Sequence, residues 1–184
     1  MEQEKDLIER AKYSQEAFGE LYEMYYNCIF NYALRRCANI EIAKDVTSVV
    51  FFKALKYIKN YRWDGIPFSH WLYRIANHEL VDQYNNRKFE TSLDLTTIAG
   101  SLNLQDKLVL GEDTLRKYET YMDIQKYISE LSPKYQEVIT LRYFEDKELK
   151  EIAEILGKPE GTVKSLLHRG IEKLRRTLSR DEEE

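Results

Sequence analysis

Apolar positions recur along most of the chain at the 3.6-residue spacing of helices, and nowhere does a strand-like alternation stand out. Between Glu20 and Asp64 there is neither glycine nor proline, which predicts that this span is made of helices. Phe18, Leu21, Tyr22, Tyr25, Ile29, Tyr32 and Ala33 mark the buried face of one helix. A second helix is expected from about Glu41 to Asn60, with Val46, Val50, Leu55 and Ile58 among its apolar positions. Gly65 and Pro67 then force a loop, and a third helix starts near Phe68 and continues to about Arg87. Its core stripe reads Phe68, Leu72, Ile75, Ala76 and Leu80, while Trp71, Arg74, His78 and Asn85 fall on another stripe.

The period is lost from Phe89 to Gly111, a stretch holding Gly100 and Gly111 that reads as a flexible linker. Helices resume near Asp113. Ser132 and Pro133 have the chemistry of an N-cap and a first helical position. KELKEIAEILG is a short helix ended by Gly157, and Pro159 opens a long final one. The expected fold is all-α: helical units over 12–88 and 113–180, joined by 89–112.

Composition changes this picture only slightly. Of 184 residues, 43% are hydrophobic and 33% charged, enough for a buried core. No run approaches a membrane span, and the charged N-terminus is unlike a signal peptide, so a cytoplasmic protein without membrane insertion is expected. Cys28 and Cys37 are nine residues apart, on opposite sides of a helix, and read as core thiols rather than a disulfide.

Charge is more informative in its distribution than in its total of −4. Residues 12–88 and 133–180 are each net positive, the intervening segment is net negative, and basic residues crowd 158–180. Such crowding suits phosphate contacts. His70, His78 and His168 have no metal-ligand spacing, and no phosphate loop or nucleophile motif occurs, so neither metal, cofactor nor catalysis is expected.

The local signal with most chemistry is LKEIAEILGKPEGTVKSLLHRGIEKL, a short helix, a tight turn and a second helix with helix-turn-helix spacing. Ala153 is small enough for a helix crossing, and Ile152, Leu156, Val163 and Leu167 can fill the wedge. Thr162, Lys164, Ser165, His168 and Arg169 lie where a second helix reaches a major groove, and Lys173, Arg175 and Arg176 could pin the backbone.

These residues resemble a known family. LSPKYQEVITLRYF, ELKEIAEILGKPE and GTVKSLLHRG are similar to region 4 of the extracytoplasmic-function (ECF) sigma factors of bacterial RNA polymerase. AFGELYEMYYNCIFNYALRRC, IEIAKDVTSVVFFKALKYIKNY and FSHWLYRIANHELVDQY resemble their region 2, in the right order. The resemblance implies a non-enzymatic initiation factor that binds core polymerase and promoter DNA and is controlled by an anti-sigma factor, with no obligate homo-oligomer. It places core binding on Asp45, Ser48, Val49 and Phe52, where the usual Asp-x-x-Gln-Glu pattern keeps only its aspartate. It places −10 recognition on Lys53, Lys56, Tyr61, Arg62, Trp63, Arg74, Asn77 and His78, the last standing where Asn is usual. It places −35 recognition on Thr162, Lys164, Ser165, His168, Arg169 and Lys173, with Leu166 and Ile171 replacing two usual arginines. An anti-sigma factor would cover the apolar surface around Val49, Phe51 and Phe52. Two rival readings are a dimeric helix-turn-helix regulator that binds operators without polymerase, which leaves 12–88 unexplained, and an enzyme, for which no motif speaks.

Overall fold

A computed structural model describes residues 2–89 and 124–181, and every regular element among them is helical. The N-terminal unit contains α1 (Glu2–Ala11), α2 (Gln15–Cys37), α3 (Ile40–Tyr57) with a 3-10 turn Ile58–Asn60, and α4 (Phe68–Phe89). The C-terminal unit contains α5 (124–130), α6 (Pro133–Tyr143), α7 (Leu149–Leu156) and α8 (Glu160–Asp181). The linker and the expected start near Asp113 lie outside the described residues.

Local chemistry sets the helix ends. Ser14 Oγ accepts from the Ala17 amide at 3.2 Å and Asn39 Oδ1 from the Ile42 amide at 3.0 Å, satisfying donors that a helix start leaves free. Between α2 and α3 the chain reverses through Ala38 at φ 49°, an unfavourable value for a residue with a Cβ. The helix-turn-helix is cleaner, because Gly157 takes φ 62° at the end of α7 and the Lys158 amide closes onto Ala153 O at 3.0 Å.

Helix α1 was not anticipated as an element. It buries Leu7, Ile8 and Ala11, and Glu4 Oε1 accepts from the Tyr25 hydroxyl at 2.6 Å and the Phe68 amide at 2.9 Å. One carboxylate thereby ties α1 and α2 to the start of α4. Around it, Phe18, Leu21, Ile29 and Tyr32 of α2 meet Val46, Val50 and Phe51 of α3 and Phe68, Leu72 and Ala76 of α4.

Three assignments change. Phe51 is 4% exposed and belongs to the core, so it is not available on an α3 docking surface. Tyr22 and Leu55, expected inside, are 40% and 49% exposed. Both cysteines are free and half-buried.

In the C-terminal unit, Ile152, Ile155 and Val163 are fully buried and form the wedge. Gln136 Nε2 donates to Ser129 O and Leu131 O at 2.9 and 2.8 Å, fastening α6 to the end of α5. At Gly170 a Cβ would come within 3.0 Å of Ile139 Cδ1, so α6 and α8 approach closely there. No described helix is long and apolar enough to cross a membrane. The two units pack on each other, α2 and α4 against α6 and α7.

Candidate nucleic-acid interface

The face of α8 that follows from helix periodicity is open. Thr162, Lys164, Ser165, His168, Arg169 and Lys173 are all exposed, spaced along roughly three turns. Ser165 Oγ donates to Gly161 O at 2.9 Å, His168 Nδ1 lies 3.9 Å from Glu172, and the Lys173 ammonium stands 5.8 Å from the Tyr135 ring. Leu166 and Ile171 are half-buried against the core, along with Leu167 and Leu174. That burial accounts for apolar residues at two positions where the resemblance leads one to expect arginine: at each, the side chain packs inward.

A second exposed stripe runs along α3. Asp45, Ser48, Val49 and Phe52 all face solvent, and Phe52 is 66% exposed. Leu55 extends the same stripe, although its apolar character pointed to the core. Phe52 and Leu55 are large apolar side chains left without cover, an arrangement typical of a docking surface.

The loop before α4 and α4 itself hold the remaining positions. Tyr61 packs edge-on against Phe68 at 5.2 Å and, tilted by 41°, against Trp71 at 4.9 Å between ring centroids. Burial, with Asp64 and Glu4 nearby, pushes the Tyr61 hydroxyl up to about 12, so it remains a neutral donor. Trp63 is half-buried, whereas Arg62, Lys56 and His78 are exposed. Lys53 is ion-paired with Glu79, bracing α3 on α4.

Besides Lys53, two positions are engaged within the chain. Asn77 Oδ1 accepts from Arg36 Nη1 at 2.5 Å, and the same Nη1 donates to the Tyr32 hydroxyl at 3.0 Å. Arg74 reaches the other unit, with Nη2 donating to Glu154 O at 2.8 Å and Nε to Ile155 O at 3.2 Å. His70, noted in the sequence only for lacking metal spacing, is buried between the units with Nε2 3.4 Å from Glu151. Burial, reinforced by Lys147, pushes its pKa down and keeps the imidazole neutral.

Sequence reasoning missed Arg35, Arg36, Tyr73 and Glu145. Arg35 Nη1 meets Glu145 Oε1 at 2.7 Å, and the Tyr73 hydroxyl donates to Glu145 Oε2 at 2.5 Å. Burial, with Cys28 and Glu145 beside it, holds the Tyr73 hydroxyl well above the usual tyrosine range. Arg35 and Glu145 are 110 residues apart in the chain, beyond any local pattern.

Comparison with known proteins matches both units. The sigma-70 region 2 family matches residues 21–90 and the sigma-70 region 4 family residues 121–174. The ECF RNA polymerase sigma factor SigW of Bacillus subtilis is 35% identical over 173 residues, covering 91% of each chain. The solved structure of CnrH in complex with the cytosolic domain of CnrY superposes with a TM-score of 0.71 at 21% identity, covering 97% of this chain and 98% of that one. That of the sigma factor RpoE in complex with the anti-sigma factor NepR from Bartonella quintana gives 0.61 at 21%, covering 88% and 96%. With both regions matched in order, and a full-length relative at that identity, the chain belongs to the ECF sigma factors of the sigma-70 family.

Proposed function

We propose that the exposed stripe of α3 docks on core RNA polymerase, that α8 reads the −35 element, and that the 61–67 loop with α4 opens and reads the −10 element. The observation carrying this assignment is that Asp45, Ser48, Val49 and Phe52 form one open face and Thr162, Lys164, Ser165, His168, Arg169 and Lys173 another, each on a helix. Lys164 and Arg169 supply donors for base edges or phosphates, and the exposed start of α8 adds its positive dipole end. Tyr61 and Trp63 supply ring faces for unstacked bases, flanked by Lys56 and Arg62, while Trp71 packs behind Tyr61. Units 12–88 and 113–180, joined by 89–112, are the corresponding modules. The same α3 face, carried by Val49 and Phe52 without Phe51, would be covered by an anti-sigma factor, a partner class named for the similar Bartonella protein. Such work places the chain in the cytoplasm.

Replacing Arg169 or Lys164 with Ala should weaken binding to a promoter with a −35 element by about 1–3 kcal/mol for a base contact, or lower the salt slope by about 1 for a phosphate contact. Core binding should be unchanged. Promoter binding titrated against salt with reconstituted holoenzyme measures both. Equal affinity and equal salt slope in both variants would remove α8 as the reader.

A further inference from the structure

We propose that Glu4 of α1 is a positioning residue for the −10 element, a carboxylate that braces the 61–67 loop and the start of α4 in the geometry that promoter opening needs. This rests on the assignment of that loop and α4 to the −10 element. The region 2 match begins at residue 21, so α1 lies wholly before it.

One carboxylate oxygen makes the brace. Glu4 Oε1 accepts from the Tyr25 hydroxyl at 2.6 Å and from the Phe68 amide at 2.9 Å. Phe68 is the first residue of α4, and its amide is one of the donors that a helix start leaves without an intrahelical partner. Pro67 before it has no side-chain oxygen to cap that start, and the acceptor comes from 64 residues earlier in the chain. A carboxylate there also meets the positive end of the α4 dipole. Burial, then the bond to Glu4, holds the Tyr25 hydroxyl above the usual tyrosine range, so it stays a donor.

Phe68 in turn supports the −10 loop. Its ring meets that of Tyr25 at 5.8 Å and those of Tyr61 and Trp71 at 5.2 and 5.3 Å. Within the loop, Gly65 takes φ 87° and Asp64 Oδ1 accepts from the Ile66 amide at 3.1 Å, an exposed local turn. The two ends of the loop are fixed where Tyr61 and Phe68 meet, and Glu4 fixes Phe68. Rings that receive unstacked bases must be held to within about 0.5 Å, so a brace on their support acts directly on opening.

The docking of α1 itself does not depend on this carboxylate. Leu7, Ile8 and Ala11 are buried on the same helix face, and Arg10 pairs with Glu20 of α2 at 2.8 Å. Losing the Glu4 carboxylate should loosen the start of α4 and leave α1 in place.

Amide exchange and promoter opening test this on the full-length chain. In the free protein, Glu4→Ala should speed exchange over 61–70 by about tenfold, the size of one lost hydrogen bond to a charged group, while exchange in α8 stays as in the wild type. In reconstituted holoenzyme below the melting midpoint, the same variant should slow opening of the −10 region, followed by permanganate reactivity, by about tenfold. Core affinity should stay within about twofold of the wild type. Glu4→Gln keeps an acceptor at the same reach and should recover most of both losses. Wild-type exchange over 61–70 in Glu4→Ala, an equal defect in Glu4→Gln, or a fall in core affinity matching the fall in opening would overturn the brace. Trp63→Ala separates the two claims. If it slows opening while Glu4→Ala does not, the brace fails alone; if it opens promoters normally, the assignment of the loop fails and the role of Glu4 at the promoter with it.

Discussion

Phe52→Asp should weaken association with core polymerase by about 30-fold to 1,000-fold, the effect of losing an interface hot spot of about 2–4 kcal/mol. Phe52 is 66% exposed on α3, with Val49 one turn before it and Leu55 one turn after. A phenyl ring held in water on a rigid helix contributes little to the fold but much to a partner that desolvates it. A carboxylate in its place would have to be buried unpaired in the complex. The free protein should be nearly unaffected, since substitutions at such exposed sites shift stability by about 0.5 kcal/mol or less. Titration of labelled protein with core, beside a circular-dichroism melt, separates the two. A dissociation constant within about threefold of wild type would mean that α3 is not the docking face.

Phe68→Ala should be the most damaging single truncation near the −10 face, costing about 3–5 kcal/mol. Phe68 is fully buried, and its ring meets those of Tyr25, Tyr61 and Trp71 at centroid distances of 5.8, 5.2 and 5.3 Å. The substitution removes the surface on which the Tyr61 and Trp71 rings rest as well as apolar burial. For a chain of this size the loss corresponds to a fall in melting midpoint of roughly 6–20 °C. Below that midpoint, promoter opening should suffer more than −35 binding, because the wedge of Ile152, Ile155 and Val163 lies elsewhere. Phe68→Leu, which keeps most of the volume, should fall well short of this loss. Calorimetry with permanganate footprinting measures both effects, and a midpoint change under about 3 °C would contradict the packing argument.

What could be read in advance was what short-range chemistry determines. Gly157 and Pro159 punctuate the helix-turn-helix within a few residues, and the open face of α8 follows from the period. Periodicity reports where apolar residues recur but not which side of a helix receives a partner. Phe51 and Phe52 are adjacent and identical in chemistry, yet one is core and the other is exposed, because only the first points at α2. Tyr22 and Leu55 were misplaced for the same reason. The contacts of Glu145 and Arg74 join residues 72 to 110 positions apart, and no local rule anticipates them. Arg36 was hidden differently: a buried arginine bonded to Tyr32 and Asn77 resembles, in sequence, any basic residue near a helix end.

The central claim is that this chain confers promoter selection on core polymerase through two separate reading faces. Mapping transcript 5′ ends, with core polymerase alone and with the protein added, tests it most directly. The account predicts new discrete start sites, each preceded by a shared −10 and a shared −35 sequence, that vanish when the protein is omitted. Start sites unchanged by the protein, together with its binding to palindromic operators in the absence of polymerase, would contradict it.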